Sequence, residues 1–264
     1  MKPKPFKTEL ITRRAALFGS LGAGGLILSG CDDIGQNRTF ARMLESAEKL
    51  TLGGQRLVLN SSAPLAREYS KSDISRVFKA NGTIRPDTDA YKRLLMTGFA
   101  DWRLQIDGLV NKPLSLSLDE LRAMPSRTQI TRHDCVEGWS AIGEWTGVPL
   151  GYLLMQAQLK PNAKYLMFRC ADNLGQTRDE TGLYYESIDL VDGYHPQTIM
   201  AYAMNGQTLP VEHGAPLRLR VERQLGYKMA KYVMRIEAVD DFSKIVLGKG
   251  GFWEDRGYEW YAGI

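Results

Sequence analysis

The sequence predicts a mixed α+β fold, and three local patterns carry that prediction. Residues 215–223, APLRLRVER, alternate apolar and polar side chains as a strand does, and residues 231–240, KYVMRIEAVD, alternate again. Residues 117–124, SLDELRAM, begin with a serine and two acidic residues, the pattern of a capped helix start. Turn signals such as Asn205-Gly206 separate these segments.

Three more strands and one more helix are expected between residues 102 and 172. WRLQIDGLV (102–110) alternates, RTQITRHDC (127–135) runs as a strand into a loop, and KYLMFRCAD (164–172) has the apolar content of a core strand. VPLGYLLMQA (148–157) predicts a helix after its proline. Strands and helices therefore occur mixed along the chain, which is typical of an α+β domain.

The charge of the chain is concentrated at its N-terminus. The 264 residues include 34 Lys and Arg against 30 Asp and Glu, a formal net charge of +4. Five of the basic residues and only one of the acidic residues fall within residues 1–30, so the remainder carries 29 of each. A neutral remainder argues against nucleic acid as a partner.

Residues 1–31 predict an export signal of the twin-arginine type. Arg13 and Arg14 end a basic region, and the apolar run AALFGSLGAGGLIL after them is too short to span a bilayer. Leu28-Ser29-Gly30-Cys31 has the form of a lipoprotein cleavage box. We therefore expect a periplasmic protein that is lipid-anchored to the inner membrane through Cys31. An ordinary secretion signal or a single-pass anchor is the alternative.

The rest of the chain divides into a tether over residues 32–75 and one domain over residues 76–264. Within the tether, residues 41–50 have the pattern of a short amphipathic helix. The domain ends in GKGGFWEDRGYEWYAGI (248–264), whose glycines and aromatic residues predict an ordered coil packed on the surface.

Cys135 is the most informative residue in the domain, because it stands alone in the polar, turn-like stretch RHDCVEGWS. A neighbouring cation such as Arg132 favours the reactive thiolate form of a cysteine. The thiol could be a nucleophile, with His133 or His213 as its base. It could also be a buried structural cysteine, or the sole protein ligand of a metal that brings its other ligands with it. A zinc or iron–sulfur site would need more cysteines than the chain has.

A second cluster of functional residues lies within residues 213–237. It concentrates hydrogen-bond donors near two glycines that allow close backbone approach, which suits a phosphate-bearing heterocycle. Its donors are His213, Arg218, Arg220, Arg223, Lys228 and Lys231. The alternative is a solvated basic face of a strand.

These two clusters carry a resemblance to a known family. RHDCVEGWS (132–140), MNGQTLPVEHGAPLRLRV (204–221) and GYKMAKYVMRIE (226–237) resemble the sulfite-oxidase-fold molybdenum enzymes in content, order and spacing. The likeness extends over about residues 77–240 and is greatest to the exported bacterial branch that contains methionine-sulfoxide reductase. It implies a single sulfite-oxidase-type domain that binds molybdopterin.

The resemblance also implies roles for individual residues. It makes Cys135 the protein thiolate on a molybdenum whose other sulfur ligands come from molybdopterin. It places the pterin along the basic strand. The residues it assigns to the cofactor are Asn81, Cys170, His213, Arg218, Lys228, Met229, Ala230 and Lys231.

The activity implied by this resemblance is oxygen-atom transfer on a small S- or N-oxide. His133, Asp134 and Glu137 would surround the substrate, with one of them moving protons, and a membrane cytochrome b would exchange electrons. Only about 25 residues follow residue 240, too few for the C-terminal immunoglobulin-like domain of sulfite oxidases, so we expect a monomeric catalytic subunit. A sulfite-oxidising dehydrogenase, a cysteine hydrolase and a non-catalytic exported binding lipoprotein remain alternatives at this point.

Overall fold

Ten strands in two sheets carry the fold in the computed structural model, which describes residues 65–175 and 182–264. The first sheet contains β1 (Arg103–Gly108), β2 (Leu114–Ser117), β5 (Tyr165–Asn173), β6 (Leu183–Asp189) and β10 (Val233–Val239). Its order is β2-β1-β10-β5-β6. Only the pairing of β1 with β10 is parallel in this sheet.

The second sheet is antiparallel and holds the sequence segments singled out above. It contains β3 (Arg127–Asp134), β4 (Ser140–Pro149), β7 (Ile199–Met204), β8 (Gln207–Thr208) and β9 (Arg218–Arg220). Its order is β3-β4-β7-β8, and β9 also pairs with β7, along residues 199–201. The hairpin between β7 and β8 turns at Asn205-Gly206, as predicted, with both residues at positive φ.

Four helices accompany the sheets in the described residues: α1 (Asp89–Met96), α2 (Leu118–Ala123), α3 (Leu150–Ala157) and α4 (Leu190–Gly193). The predicted capping box of α2 is present, because the Ser117 side chain accepts from the Glu120 backbone and the Glu120 carboxylate accepts from the Ser117 backbone. The mixed α+β class is thus confirmed. No helix in the described part of the chain has the length and hydropathy to cross a bilayer.

The main hydrophobic core packs α2 and α3 with the first sheet and includes Trp102, Leu153 and Phe168. A smaller cluster lies against the second sheet around Trp145, with Phe78 packed on it. The two clusters leave between them the charged side chains of β9. Arg218 is 2% exposed and Arg220 is 0% exposed, so the alternative of a solvated basic strand face is wrong.

The described end of the predicted tether, residues 65–75, contacts the second sheet. Glu68 forms an isolated bridge with Thr131 of the edge strand β3, and Ser75 N donates to Ile142 O of β4 at 3.0 Å. Tyr69 N donates to Ile130 O at 2.9 Å, which covers part of the edge that β3 presents. The predicted signal over residues 1–31, Cys31 and the helix at residues 41–50 lie outside the described residues.

Candidate functional site

Cys135 lies in the tight turn that joins β3 to β4. Its backbone N–H donates to Trp139 O at 2.9 Å, and its carbonyl accepts from Gly138 N at 3.0 Å. Gly138 has a φ of 85°, a left-handed conformation that glycine adopts without strain. The glycine of the CVEGW motif therefore closes the turn that presents the thiol.

The Cys135 thiol is held by an asparagine and not by a histidine. Asn81 Nδ2 donates a hydrogen bond to Cys135 Sγ at 3.4 Å. Burial raises the pKa of the Cys135 thiol, and the Glu137 charge raises it further. Arg132, which was expected to favour the thiolate, instead pairs with Asp134 at 2.9 Å. Among the described residues, no histidine hydrogen-bonds the Cys135 thiol as the base of a cysteine hydrolase would.

A cleft of about 750 Å³, open to solvent, lies beside Cys135. One wall is the N-terminal strap, which we define as residues 75–84, and it contributes Asn81, Gly82 and Thr83. A second wall is the cysteine turn, with Val136 and Glu137. The remaining walls come from the ends of β5 and β6, from the stretch after β9 and from the C-terminal segment, defined as residues 250–264.

Arg218 lines the cleft as a buried cation with unused hydrogen-bonding capacity. One of its terminal nitrogens donates to His213 O at 3.1 Å, and its guanidinium lies 5.1 Å from the Trp145 ring centroid. Its Nε has no hydrogen-bond partner among the described residues. Burial and the neighbouring Arg220 lower the pKa of Arg218 to about 9. Such a group is suited to an anionic ligand. The ligand would accept a hydrogen bond from Nε and would stabilise the buried positive charge of the guanidinium.

Lys231 also lines the cleft, and its ammonium fastens the N-terminal strap. Its Nζ donates to Asn81 O at 2.8 Å, to Thr83 O at 2.5 Å and to Glu212 O at 3.0 Å. All three partners are backbone carbonyls. Burial and the charge of Arg218 lower the pKa of Lys231 to about 7. The lysine therefore positions Asn81 beside the thiol.

Lys228, expected to hold the cofactor with its side chain, points away from the cleft. Its Nζ is fully buried and bonds Glu186 Oε1 at 2.5 Å and Glu254 Oε1 at 2.6 Å. The Lys228 ammonium is therefore paired with two carboxylates inside the protein. Of the residues beside it, Met229 lines the cleft, while Ala230 is buried and its carbonyl accepts from Leu219 N.

Of the three predicted substrate-side residues, only Glu137 lines the cleft. Its carboxylate accepts from Trp139 Nε1 at 3.1 Å and from Lys79 Nζ at 3.2 Å, and these bonds lower its pKa. Asp134 accepts from Arg132 and from Ser140 at the end of β3.

His133 is fully buried behind Gly226 and does not face the cleft. A Cβ at Gly226 would fall 2.3 Å from the His133 ring, so only glycine fits there. The His133 Nδ1 atom lies 3.1 Å from a terminal nitrogen of Arg220 and 3.3 Å from Met229 Sδ. Burial lowers the pKa of His133 well below its usual value, so the ring is neutral. These contacts correct its expected place beside the substrate, because alternation along β3 directs its ring inward.

His213 and Cys170 also lie away from this cleft. The His213 ring lies edge-on to Phe78, with 5.5 Å between centroids, and its backbone carbonyl meets Arg218. Burial and the charges of Arg218 and Lys231 lower the pKa of His213 to about 4. Cys170 is 4% exposed within the main core. Neither side chain is among those that line the cleft.

The cleft residues that the sequence argument missed include Asp172, Tyr184, Trp253 and Tyr258. Asp172 is 4% exposed, its Oδ1 has no partner among the described residues, and burial raises its pKa to about 6. A carboxylate on the buried side of the core strand KYLMFRCAD was a visible signal. Tyr184, Trp253 and Tyr258 carried no such signal, since each stands in a stretch that reads as ordinary packing.

The described residues contain no group of three or more His, Cys, Asp or Glu side chains that could hold a metal ion. The structure instead brings the thiol together with three hydrogen-bond donors, one carboxylate and one thioether from distant parts of the chain. They are Asn81, Cys135, Glu137, Arg218, Met229 and Lys231. This is the arrangement expected for a metal that arrives within a larger ligand.

Comparison with known proteins points in the same direction. Residues 93–245 match the family described as the oxidoreductase molybdopterin binding domain. A candidate protein-methionine-sulfoxide reductase subunit, YedZ1, from Azospira oryzae is 38% identical over 97% of this chain and 89% of its own length. The protein-methionine-sulfoxide reductase catalytic subunit MsrP of Gluconobacter oxydans is 39% identical over 53% of this chain.

Two further comparisons are partial. The chain spans about half the length of the MsrP relatives that it matches, with 47% of the Gluconobacter protein and 49% of the one from Xanthomonas axonopodis covered. Among solved structures, the sulfane dehydrogenase SoxCD of Paracoccus pantotrophus aligns with 53% of this chain and 39% of its own, at a TM-score of 0.47 and 29% identity.

Proposed function

Because the chain belongs to the oxidoreductase molybdopterin-binding family and is thus a molybdopterin-dependent enzyme, we propose that it reduces methionine sulfoxide. The observation that carries the proposal is the single thiol of Cys135 in a cation-lined cleft, in a chain that is similar to a candidate methionine-sulfoxide reductase subunit over nearly its whole length. The balanced reaction takes a sulfoxide, two electrons and two protons to a thioether and water.

The cleft residues fit molybdopterin and its metal. Cys135 offers the one cysteine thiol among the described residues that line the cleft, and Arg218 and Lys231 offer positive charge to an anionic phosphate. Two buried polar atoms without partners among the described residues, Arg218 Nε and Asp172 Oδ1, await hydrogen bonds from a polar heterocycle. We assign Cys135 to the metal and these residues to the pterin.

When bound, the cofactor supplies a molybdenum that cycles between oxidation states two electrons apart while an oxygen atom is transferred. The residues of the chain bind and orient. Asn81 holds the Cys135 sulfur through its amide, and Lys231 holds the carbonyl of Asn81. Glu137 places a carboxylate at the mouth of the cleft, where the substrate enters.

The electrons must come from a partner, which we propose to be a membrane cytochrome b. The MsrP relatives are named as catalytic subunits and the Azospira relative as a subunit, which supports a catalytic chain that works with a second protein. On this proposal the chain is monomeric apart from that partner. The substrate class is the sulfoxide of methionine, free or within a protein.

We further propose that the enzyme works in the periplasm after twin-arginine export, with Cys31 as a lipid attachment site. The support is the sequence of residues 1–31, in which Arg13 and Arg14 precede a short apolar run and a lipoprotein-like box. Replacing both arginines with lysine should leave the precursor in the cytoplasm, as measured by cell fractionation and immunoblotting. Continued export of that variant would contradict this part of the proposal.

The main test uses the full chain produced in a host that makes molybdopterin. We expect near-stoichiometric molybdenum by elemental analysis and reduction of a methionine-sulfoxide peptide with a reduced viologen dye as electron donor. Cys135→Ser should reduce turnover at least about a hundred-fold, since the hydroxyl is a poor substitute for a metal-bound thiolate. A Cys135→Ser protein that keeps both molybdenum and full turnover would contradict the assignment, and a wild-type protein without molybdenum would contradict the enzyme itself.

A further inference from the structure

The C-terminal segment contributes an aromatic wall to the cleft. Trp253 and Tyr258 both line it, and their rings are stacked at 5.3 Å between centroids and 25° between planes. Tyr227 meets the Tyr258 ring edge-on at 5.1 Å. Both segment residues lie beyond residues 93–245, the part of the chain that matches the family. The wall therefore lies outside the part of the chain that the family model matches.

The wall is held in place by a buried charge. Glu254, one residue after Trp253, is 1% exposed, and its carboxylate accepts from Lys228 Nζ at 2.6 Å. The chain then makes a short 3-10 turn over Glu254–Arg256 and reverses at Gly257, whose φ is 105°. Tyr258 N donates to Trp253 O at 3.0 Å. The two rings thus have fixed positions before any ligand arrives.

Tyr258 is more exposed than a neighbouring aromatic residue that belongs to the hydrophobic core. Phe252, next in the chain, is 3% exposed and belongs to the main core. Tyr258 is 38% exposed, although it is stacked on one side by Trp253 and touched on its edge by Tyr227. On the cysteine turn, Val136 also lines the cleft and is 45% exposed. An apolar surface therefore remains open beside the thiol.

We propose that Trp253 and Tyr258 bind the alkyl chain of the sulfoxide substrate and so select sulfoxides with an extended alkyl side chain. Burying the methylene groups of that chain against the rings adds to the binding free energy. A small sulfoxide such as dimethyl sulfoxide has little chain to place on the wall. This assignment rests on the proposed function and adds the residues that determine its specificity.

The test compares two sulfoxides in steady-state kinetics of the molybdenum-loaded full chain. For a methionine-sulfoxide peptide, Trp253→Leu and Tyr258→Leu should each raise KM about ten-fold, which corresponds to about 1.4 kcal/mol of binding. For dimethyl sulfoxide the same variants should change KM less than about two-fold, because few of its atoms reach the wall. The value of kcat should change little for either substrate.

Matched variants separate recognition from general damage. Trp253→Phe and Tyr258→Phe keep an aromatic face and should retain a KM within about two-fold of wild type. Tyr194→Leu removes a tyrosine that is 47% exposed and does not line the cleft, and it should have no effect. Molybdenum content and melting temperature are measured for every variant.

Three results would overturn the assignment. Equal KM changes for both substrates would indicate damage to the shared site, and unchanged KM for the peptide would show that the wall does not contact it. If one leucine variant fails to fold, competitive inhibition of the other leucine variant by a thioether peptide decides, and inhibition that is equal in wild type and that variant refutes the wall. Wild-type protein that turns over neither sulfoxide refutes the proposed function itself, a result distinct from the first two.

Discussion

Lys228 and Lys231 lie three residues apart, yet they fasten opposite walls of the cleft by different chemistry. Lys228 holds the C-terminal segment through two carboxylates, and Lys231 holds the N-terminal strap through three backbone carbonyls. Burial lowers the pKa of Lys228, but the two negative charges outweigh it and raise the pKa above its usual value. Carbonyl oxygens satisfy the hydrogen bonds of Lys231 without supplying that charge, so burial prevails and its pKa falls to about 7.

The difference teaches that the two walls respond to different conditions. The C-terminal segment depends on a cluster of buried ions that is excluded from water. Removing one of these ions leaves another buried charge without a partner, which destabilises the fold. The N-terminal strap depends on a cation that gives up its proton near neutral pH. A strap of this kind would gain from an anionic ligand, which would hold the proton on Lys231 when it binds.

The largest effect is expected at the C-terminal wall. Lys228→Met leaves Glu186 and Glu254 buried together without a cation, and removing one partner of a buried ion pair costs about 3–5 kcal/mol. Urea unfolding followed by circular dichroism measures the loss. Adding Glu186→Gln to the Lys228→Met variant should recover part of it, because one buried charge is removed. A single variant that loses less than about 1 kcal/mol would show that the ion cluster does not hold the segment.

The next effect is a pH dependence at the N-terminal strap. The pKa of Lys231 is about 7 in the folded protein against 10.5 ordinarily, so between those values the unfolded chain binds a proton that the folded chain does not. The stability of cofactor-free protein should therefore rise with pH above 7, by up to about 1.4 kcal/mol per pH unit. Lys231→Met should abolish this rise.

Asp172 titrates in a lower pH range than Lys231, so the same measurement gives a second, independent pH dependence. The pKa of Asp172 is raised from 3.8 to about 6, so the folded protein binds a proton there that the unfolded chain has released, and stability falls from pH 4 to pH 6. The free energy of unfolding, measured in urea at a series of pH values, separates the Asp172 contribution from the Lys231 contribution. A wild-type profile that is flat between pH 7 and pH 9 would contradict the lowered pKa of Lys231.

A smaller effect compares one hydroxyl on each wall. Tyr232→Phe removes a donor to Thr83 O at 2.8 Å in the strap, and the loss should cost about 1 kcal/mol. Tyr227→Phe removes a donor to Glu259 O at 2.7 Å on the C-terminal side, where the bond is exposed to water that replaces it, so the cost should stay below about 0.5 kcal/mol. Thermal unfolding measures both, and a larger loss for Tyr227→Phe would reverse this ranking.

The smallest effect is expected from the ion pair that joins the strap to the cysteine turn. Lys79 and Glu137 are 3.2 Å apart and more than half exposed, and such pairs contribute about 0–1 kcal/mol. Lys79→Gln should therefore shift stability by less than about 0.5 kcal/mol, and the shift should vanish in 1 M salt, as melting curves at low and high salt would reveal. A large, salt-independent loss would mean that the strap is fastened here and not at Lys231.

The sequence predicted most of the elements that frame the site. The alternation in WRLQIDGLV, RTQITRHDC and KYLMFRCAD corresponds to β1, β3 and β5, and the capped helix is α2. The predicted strand over residues 215–223 is present only as the three residues of β9. Its alternation is real, but both faces are buried, because the guanidinium groups of Arg218 and Arg220 pack against Trp145 instead of water.

Within the site, the family resemblance predicted Cys135, Asn81, Arg218 and Lys231 around the cofactor and Glu137 beside the substrate. The structure places all five around one cleft. It misplaced His133 and the side chain of Lys228. Periodicity assigns a residue to a face of its own strand, but it does not say which other part of the chain covers that face. Gly226 covers His133, and Glu254 covers Lys228, from sequence positions 93 and 26 residues away.

By itself, the sequence determined the local geometry and the chemistry available: an alternating strand, a glycine that closes the cysteine turn, a lone thiol and a set of donors without acceptors. Only the tertiary structure decided which donors face the ligand and which are neutralised inside the protein. The reason is that the stability of a buried charge depends on the polar or charged groups that contact it in the folded protein. For Lys231 that partner is a carbonyl 150 residues away, for Lys228 a carboxylate of the C-terminal segment, and sequence spacing records neither contact.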